Sequence, residues 1–410
     1  MLPTPRRRTV PALTLTATAT AAAALLAALP GAAAHAAPSV QAAGTGWSPD
    51  LSAVDGDDVN VRHDGKALRL ASGRTGPASL RGATAAGQLM LAPRDLAEPV
   101  NRVTAQVTGA GPVQVDVRAR TGAGVWTEWT PAGTALPAES RRIQARVVLT
   151  GAPGRTAPSV SAVRLTGDRI AAKAPRTTAA QTYQVFATRE GLVGGTTANG
   201  HVITDRDHFV ALPSRRGLSG NGSGEYSVQV CTASGSLCEY APVWDVGPWN
   251  THDDYWNPSA TREMWNDLPQ GRPESQAAYQ DGYNGGTDEF GRQVANPAGI
   301  DLADGTFWDG LGLTDNSWVN VTYMWTGAGA RGVVRTAGAP VPLRAAASAG
   351  SARTGVAANL ANVVVQCHVR GQSVTGTYGT SDMWNRIGPG HYVPAAYVHT
   401  ESDAPAAPAC

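Results

Sequence analysis

Two aspartates, Asp245 and Asp301, lie in segments where a carboxylate could do acid–base chemistry. Asp245 follows the apolar pair Val243 and Trp244 and precedes Val-Gly-Pro, so we expect it where a strand breaks into a turn. Cutting a glycosidic bond commonly requires one carboxylic acid that protonates the leaving oxygen. A second group, often a carboxylate, then activates water or attacks the sugar. The two aspartates are therefore candidate catalytic residues.

Other roles and other residues compete for this assignment. Asp301 precedes Leu302 in a segment that could open a short helix, where its side chain would accept the free amides of the first turn as an N-cap. His201 and His208 are further candidates, because imidazole exchanges protons near neutral pH. No calcium-type spacing of acidic residues appears, and no C-x-x-C pair is present. Neither a metal nor a cofactor is predicted.

The elements around the aspartates have the period of strands. Val228 and Val230, and later Val319, Val321 and Tyr323, alternate with polar residues, which indicates half-buried strands. Gly and Pro are abundant, with 47 and 28 residues, and favour short strands joined by turns over helices. The chain is therefore predicted to be all-β.

Five motifs follow one another through this region. They are T-A-x-G at 197–200, A-L-P at 211–213, D-x-G-P at 245–248, I-D-L-A at 300–303 and V-x-V-x-Y at 319–323. Their order resembles the six-stranded double-psi β-barrel of expansins, rare lipoprotein A and family 45 glycosidases. The resemblance implies such a barrel over residues 183–327.

The resemblance also implies roles for the aspartates. Asp245 matches the acidic residue of rare lipoprotein A, a lytic transglycosylase that acts on peptidoglycan. Asp301 matches the acidic residue of the expansin turn, which is important for wall loosening without hydrolysis. Lytic relatives carry Glu directly after T-A-x-G, where this chain has His201, and His three residues before Leu-Pro, where it has Phe209. These departures remove the matching general acid and favour glycan binding without cleavage.

A long insertion is predicted between Pro248 and Gly299. Four of its aromatic residues are candidate substrate-binding residues, because aromatic faces stack on pyranose rings: Trp249, Tyr255, Trp256 and Tyr283. The alternative is that the aromatic side chains form a satellite core over one end of the barrel. Residues 259–268 are predicted to form a short helix capped by Ser259.

The flanking regions are predicted to be separate β modules. Residues 45–168 alternate like a β-sandwich, and Trp126 and Trp129 in it could stack on a sugar or pack in a core. A linker is expected at 169–182. Residues 338–410 resemble the SH3-like domains of secreted actinobacterial proteins, which implies binding of wall peptide or glycan. Tyr378, Trp384 and Tyr392 are its candidate groove aromatics, or alternatively its core.

The N-terminal segment and the cysteines indicate the cellular compartment of the protein. Residues 1–36 combine three arginines, an apolar run and an A-x-A site, typical of a removed signal peptide, and no later run is long enough to span a bilayer. Of three possible pairings of the four cysteines, we favour Cys231–Cys238 and Cys367–Cys410. The net charge of +1 does not indicate binding to nucleic acid.

The sequence thus predicts a secreted protein, either free or associated with the cell wall, with a cell-wall polysaccharide or peptidoglycan as its partner. Binding or remodelling of that glycan is the leading hypothesis. One alternative is a glycan-cleaving enzyme that uses Asp245 with Asp301. Another is a non-catalytic adhesion or inhibitor scaffold, since a fold does not fix a function.

Overall fold

The computed structural model describes residues 45–72, 85–151, 154–171, 179–400 and 405–410. The predicted signal peptide and residues 172–178 of the predicted linker lie outside this range. The all-β class is confirmed. No helix in the described ranges is both long enough and apolar enough to cross a membrane.

The N-terminal strands form one continuous sheet around a single apolar core. They are β1 (Thr45–Trp47), β2 (Val61–His63), β3 (Leu68–Leu70), β4 (Ala85–Met90), β5 (Arg94–Ala110), β6 (Val113–Ala119), β7 (Thr130–Pro131), β8 (Ala135–Gly151) and β9 (Ser159–Asp168). Their order is β2-β3-β9-β5-β8-β6-β7, with β1 on β9 and β4 on β8.

A closed six-stranded barrel follows. Its strands are β10 (Gln181–Arg189), β11 (Val210–Leu212), β12 (Ser227–Thr232), β13 (Cys238–Val246), β14 (Ala298–Leu302) and β15 (Ser317–Tyr323). Around the ring the order is β10-β14-β11-β13-β12-β15 and back to β10. The pairs β10–β14 and β11–β13 are parallel, and the other four are antiparallel. Valines such as Val230 and Val321 fill the interior, as their alternation predicts.

Further strands follow the barrel. They are β16 (Ala330–Val334), β17 (Val341–Arg344), β18 (Arg353–Ala357), β19 (Asn362–Val365), β20 (Cys367–Gly376), β21 (Gly379–Gly388), β22 (His391–Pro394) and β23 (Val398–His399). Strands β17, β18, β20, β21 and β22 continue the barrel's sheet, and β16, β19 and β23 form a separate sheet. Strand β18 pairs in parallel with β13, with Gly355 opposite Cys238. A Cβ on Gly355 would lie 1.8 Å from the Cys238 carbonyl oxygen, so this close pairing requires glycine.

Helical segments are short. The α-helix α1 is Glu274–Asp281; 3-10 turns cover Arg215–Gly217, Tyr283–Gly286, Met324–Thr326 and Ala395–Tyr397, and a π-turn covers Gly305–Gly310. The helix predicted at residues 259–268 is wrong, because that stretch is a series of turns. The Asp254 carboxylate accepts the Glu263 amide there, which gives the backbone a partner outside a helix.

Both disulfides, Cys231–Cys238 and Cys367–Cys410, are confirmed. The first joins β12 to β13 across their hairpin. The second ties the last residue to the start of β20, where His368 also pairs with Ala409.

The N-terminal sheet is joined to the barrel by buried side chains. Trp129 is fully buried and belongs to the barrel's core cluster, so the proposal that it stacks on a sugar is wrong. The neighbouring Trp126 is half-buried, with the Arg118 guanidinium carbon 4.6 Å from its ring centroid. Glu128, between them, accepts the indole N–H groups of Trp256 and Trp325, each at 2.7 Å.

Candidate functional site

Strand register brings Asp245 and Asp301 to one face of the barrel. Ala211 on β11 is the registered partner of Asp245 on β13 and of Asp301 on β14. Thr188 on β10 extends this row next to Asp301. Residues paired across neighbouring strands project to the same face. The row faces away from the barrel interior, because the residues on either side of Asp301 and of Ala211 fill the core: Ile300, Leu302, Val210 and Leu212.

Two irregularities in strand pairing produce this alignment. The register shifts between Val210 and Ala211 against β13, and between Phe186 and Ala187 against β14. Such bulges re-aim side chains relative to the regular alternation of a strand. Without the first shift, Asp245 would follow Val243 into the barrel interior.

The Asp245 carboxyl group accepts hydrogen bonds from the backbone. Its side chain is fully buried, and its Oδ1 accepts the backbone N–H groups of Ala198 (2.7 Å) and Val246 (2.8 Å). Hydrogen bonds from two amides favour the ionised form of a carboxyl group. Ala198 belongs to the T-A-x-G motif, so the segment between β10 and β11 covers this carboxylate.

Asp301 is a strand residue whose carboxyl accepts the Thr188 hydroxyl. The N-cap alternative is wrong, since the nearby π-turn begins four residues later and Asp304 precedes it. Burial raises the pKa of Asp301 to about 7; the Thr188 hydrogen bond opposes that shift and the charge of Asp245 adds to it. Asp301 therefore changes protonation near neutral pH.

Glu190 completes the site, and the sequence analysis missed it. It directly follows β10, and its amide donates to the Leu302 carbonyl (2.8 Å). Burial, followed by the charge of Asp245 and a side-chain contact with it, raises the pKa of Glu190 well above its ordinary value. No donor among the described residues reaches either of its carboxyl oxygens. The Glu190–Asp245 contact is a hydrogen bond only when one partner is protonated, and the two amide donors on Asp245 favour Glu190 as that partner.

We call Glu190, Asp245 and Asp301 the acid cluster. It combines an acid whose pKa is raised well above its ordinary value, a carboxyl group that accepts two backbone amides and a third group whose pKa is about 7. Carboxyl groups whose environments separate their pKa values are suited to general acid and general base roles. The three residues are at most 8% exposed, so a polymer reaches them only if the covering segment between β10 and β11 moves.

The histidines are engaged by other carboxylates. His201 Nε2 lies 2.7 Å from Asp207 Oδ2, and its ring centroid is 4.8 Å from that of Trp244. His208 Nδ1 lies 3.0 Å from Glu239 Oε1. Burial opposes protonation of His208, but the hydrogen bond and charge of Glu239 raise its pKa overall. Each histidine thus has its own acidic partner outside the acid cluster.

The proposed substrate-binding aromatics divide into buried and accessible groups. Tyr255 and Trp256 are fully buried against Tyr323 and belong to the barrel's main core cluster, so a role in sugar stacking is wrong and the core is not a satellite one. Trp384 is 1% exposed and donates its indole N–H to Gln372, which places it in the core of the C-terminal strands.

Four of the candidates remain at least partly exposed. Trp249 is half-buried, beside the Arg292 guanidinium. Tyr283 is also half-buried, and its hydroxyl donates to Asp267. Tyr378 is 49% exposed, so it stays a candidate groove residue, while Tyr392 is half-buried.

A family model supports the extent of the barrel. Residues 181–322 match a domain of unknown function, DUF8814, from the start of β10 almost to the end of β15. No significant match was found among curated proteins or among solved structures.

Proposed function

We propose that this protein binds and remodels an extracellular polysaccharide, with cell-wall glycan as the expected class, at the barrel face that carries the acid cluster. The observation that carries the proposal is the meeting of Glu190, Asp245 and Asp301, which come from three separate segments of the chain. A purely structural face would be expected to avoid three adjacent buried carboxyl groups, because burying charge is costly.

The motif order and the topology support the same proposal. The closed ring with two parallel strand pairs supports a double-psi barrel. The C-terminal strands that follow it support an SH3-like module, and the A-x-A segment supports export. Together they favour wall glycan, including peptidoglycan, over an intracellular ligand.

Cleavage of the glycan is a second candidate function, and the protonation pattern favours it. Glu190 would donate its proton to the leaving oxygen, which replaces the glutamate that is absent at position 201. Asp245 would stabilise the positive charge that develops on the sugar ring. A water molecule would then add to the anomeric carbon, and Asp301 in its ionised form would take the proton that the water loses.

A sedimentation assay with purified peptidoglycan, cellulose and chitin tests both functions. Bound protein is measured in the pellet and soluble fragments are measured by mass spectrometry. The proposal predicts binding to at least one polymer, and Asp245→Asn is expected to weaken it. Cleavage predicts fragments that Glu190→Gln abolishes and that the exposed-site control Glu98→Gln retains. Absence of binding to all three polymers would contradict the proposal and leave the scaffold alternative.

A further inference from the structure

Three side chains meet at the surface beside the acid cluster. The indole of Trp308 is 36% exposed. The guanidinium carbons of Arg189 and Arg206 lie 4.8 and 4.5 Å from its ring centroid. We call these residues the arginine–tryptophan surface. Two arginines over one exposed ring form a cation–π arrangement that holds both guanidinium groups in place.

Local structure builds this surface next to the acid cluster. Arg189 is the last residue of β10 and directly precedes Glu190. Trp308 lies on the π-turn, whose Gly305 packs against the backbone of the segment that carries Arg206. A Cβ on Gly305 would lie 2.4 Å from the Arg206 carbonyl oxygen, so glycine is needed for this contact.

Both guanidinium groups keep donors for a ligand. Arg189 donates to Asp304 (2.7 Å) and Arg206 donates to Asp309 (3.2 Å), one side-chain hydrogen bond each among the described residues. A guanidinium carries five N–H donors in a fixed fork that matches a carboxylate. The side chains of Arg189 and Arg206 are 42% and 50% exposed, so the remaining donors are open to solvent.

Two ordinary surface ion pairs would not need to place both guanidinium groups against the same aromatic ring. Isolated exposed pairs contribute little and are not expected to share an aromatic ring. Here two guanidinium groups from different segments share Trp308, and one of them adjoins the acid cluster through the chain itself.

We propose that the arginine–tryptophan surface binds the carboxylate of an acidic sugar, so that the glycan presented to the acid cluster is an anionic one. This inference rests on the proposed function and adds the charge of its ligand. Asp304 and Asp309, which hold the two guanidinium groups now, show the carboxylate geometry that each accepts.

Two tetrasaccharides test the proposal by calorimetry at low salt. One alternates N-acetylglucosamine with N-acetylmuramic acid, and the other contains only N-acetylglucosamine, so they differ in the lactyl carboxylates. The acidic one is expected to bind about 3- to 10-fold more tightly, the gain of one exposed charge-assisted contact. Arg206→Gln is expected to remove that preference, and added salt to reduce it.

The control is Arg141→Gln, another exposed arginine with one carboxylate partner, Glu98. It should keep the preference for the acidic tetrasaccharide. Equal affinity of the normal protein for both tetrasaccharides, or an unchanged preference in Arg206→Gln, overturns the inference and leaves the proposed function intact. If neither tetrasaccharide binds while whole peptidoglycan also fails in the sedimentation assay, the proposed function itself is contradicted, and this inference with it.

Discussion

Replacing Glu128 with alanine should weaken the contact between the N-terminal sheet and the barrel and so lower the stability of the protein. This carboxylate is 9% exposed and accepts three side-chain hydrogen bonds from the barrel region. The donors are the indoles of Trp256 and Trp325, each at 2.7 Å, and the Asn257 amide at 2.6 Å. The Arg216 guanidinium lies 3.6 Å away and adds a favourable charge.

The size of the effect follows from those contacts. A hydrogen bond to a charged group contributes about 1.5–3 kcal/mol, and a buried donor left without its acceptor loses stability. Three such bonds predict that Glu128→Ala lowers the free energy of unfolding by about 4 kcal/mol or more. Glu128→Gln keeps the volume but loses the charge, so we expect an intermediate loss of about 2 kcal/mol.

Urea unfolding followed by tryptophan fluorescence measures this directly, because two of the donors are themselves indoles. The matched control is Glu98→Ala, whose side chain is 80% exposed and pairs with Arg141. It should change the free energy of unfolding by no more than about 0.5 kcal/mol. The reasoning is refuted if Glu128→Ala falls within about 1 kcal/mol of this control.

Three further changes have defined outcomes. Burial raises the pKa of Asp301 from 3.8 to about 7, so the folded protein loses stability as the pH rises through that range. Asp301→Asn should therefore raise the free energy of unfolding by about 2–4 kcal/mol at pH 8 and change it little at pH 4. Urea unfolding curves of the variant and the normal protein that coincide at both pH values would contradict this. The Cys367–Cys410 disulfide joins residues that are 43 apart in the sequence, so its removal should lower the free energy of unfolding by about 4 kcal/mol. Calorimetry measures this loss, and an unchanged free energy of unfolding would contradict the prediction. Gly355→Ala should lower the melting temperature strongly, because its Cβ would meet a backbone carbonyl, whereas Gly350→Ala, whose Cβ has room, should leave it within error.

Local patterns were enough to predict the strands and the Cys231–Cys238 disulfide. The period-two alternation at Val319 and Val321 reports which face of a strand is buried, and both valines are fully buried. The spacing of Cys231 and Cys238 fits a hairpin, and the register pairs them directly. Such features depend on residues close together in the chain, so they can be read from the sequence.

Contacts between distant segments could not be predicted. Glu190 joins the acid cluster because β10 lies parallel to β14, a pairing across more than 100 residues. The only available signal was an acidic residue followed by glycine near the start of the predicted barrel. Likewise, aromatic content marked Trp256 as a cleft residue, while its indole is buried because Glu128 of the N-terminal sheet accepts its N–H.

The most direct test of the acid cluster is to detect the shared proton. Infrared difference spectroscopy distinguishes a protonated carboxyl from a carboxylate, and at pH 8 Asp301, with its pKa of about 7, is mostly ionised. We expect a protonated carboxyl band at that pH which Glu190→Gln removes and Asp301→Asn retains. A spectrum without such a band at pH 8, or a band unchanged in Glu190→Gln, would contradict the assignment of Glu190 as the acid beside Asp245.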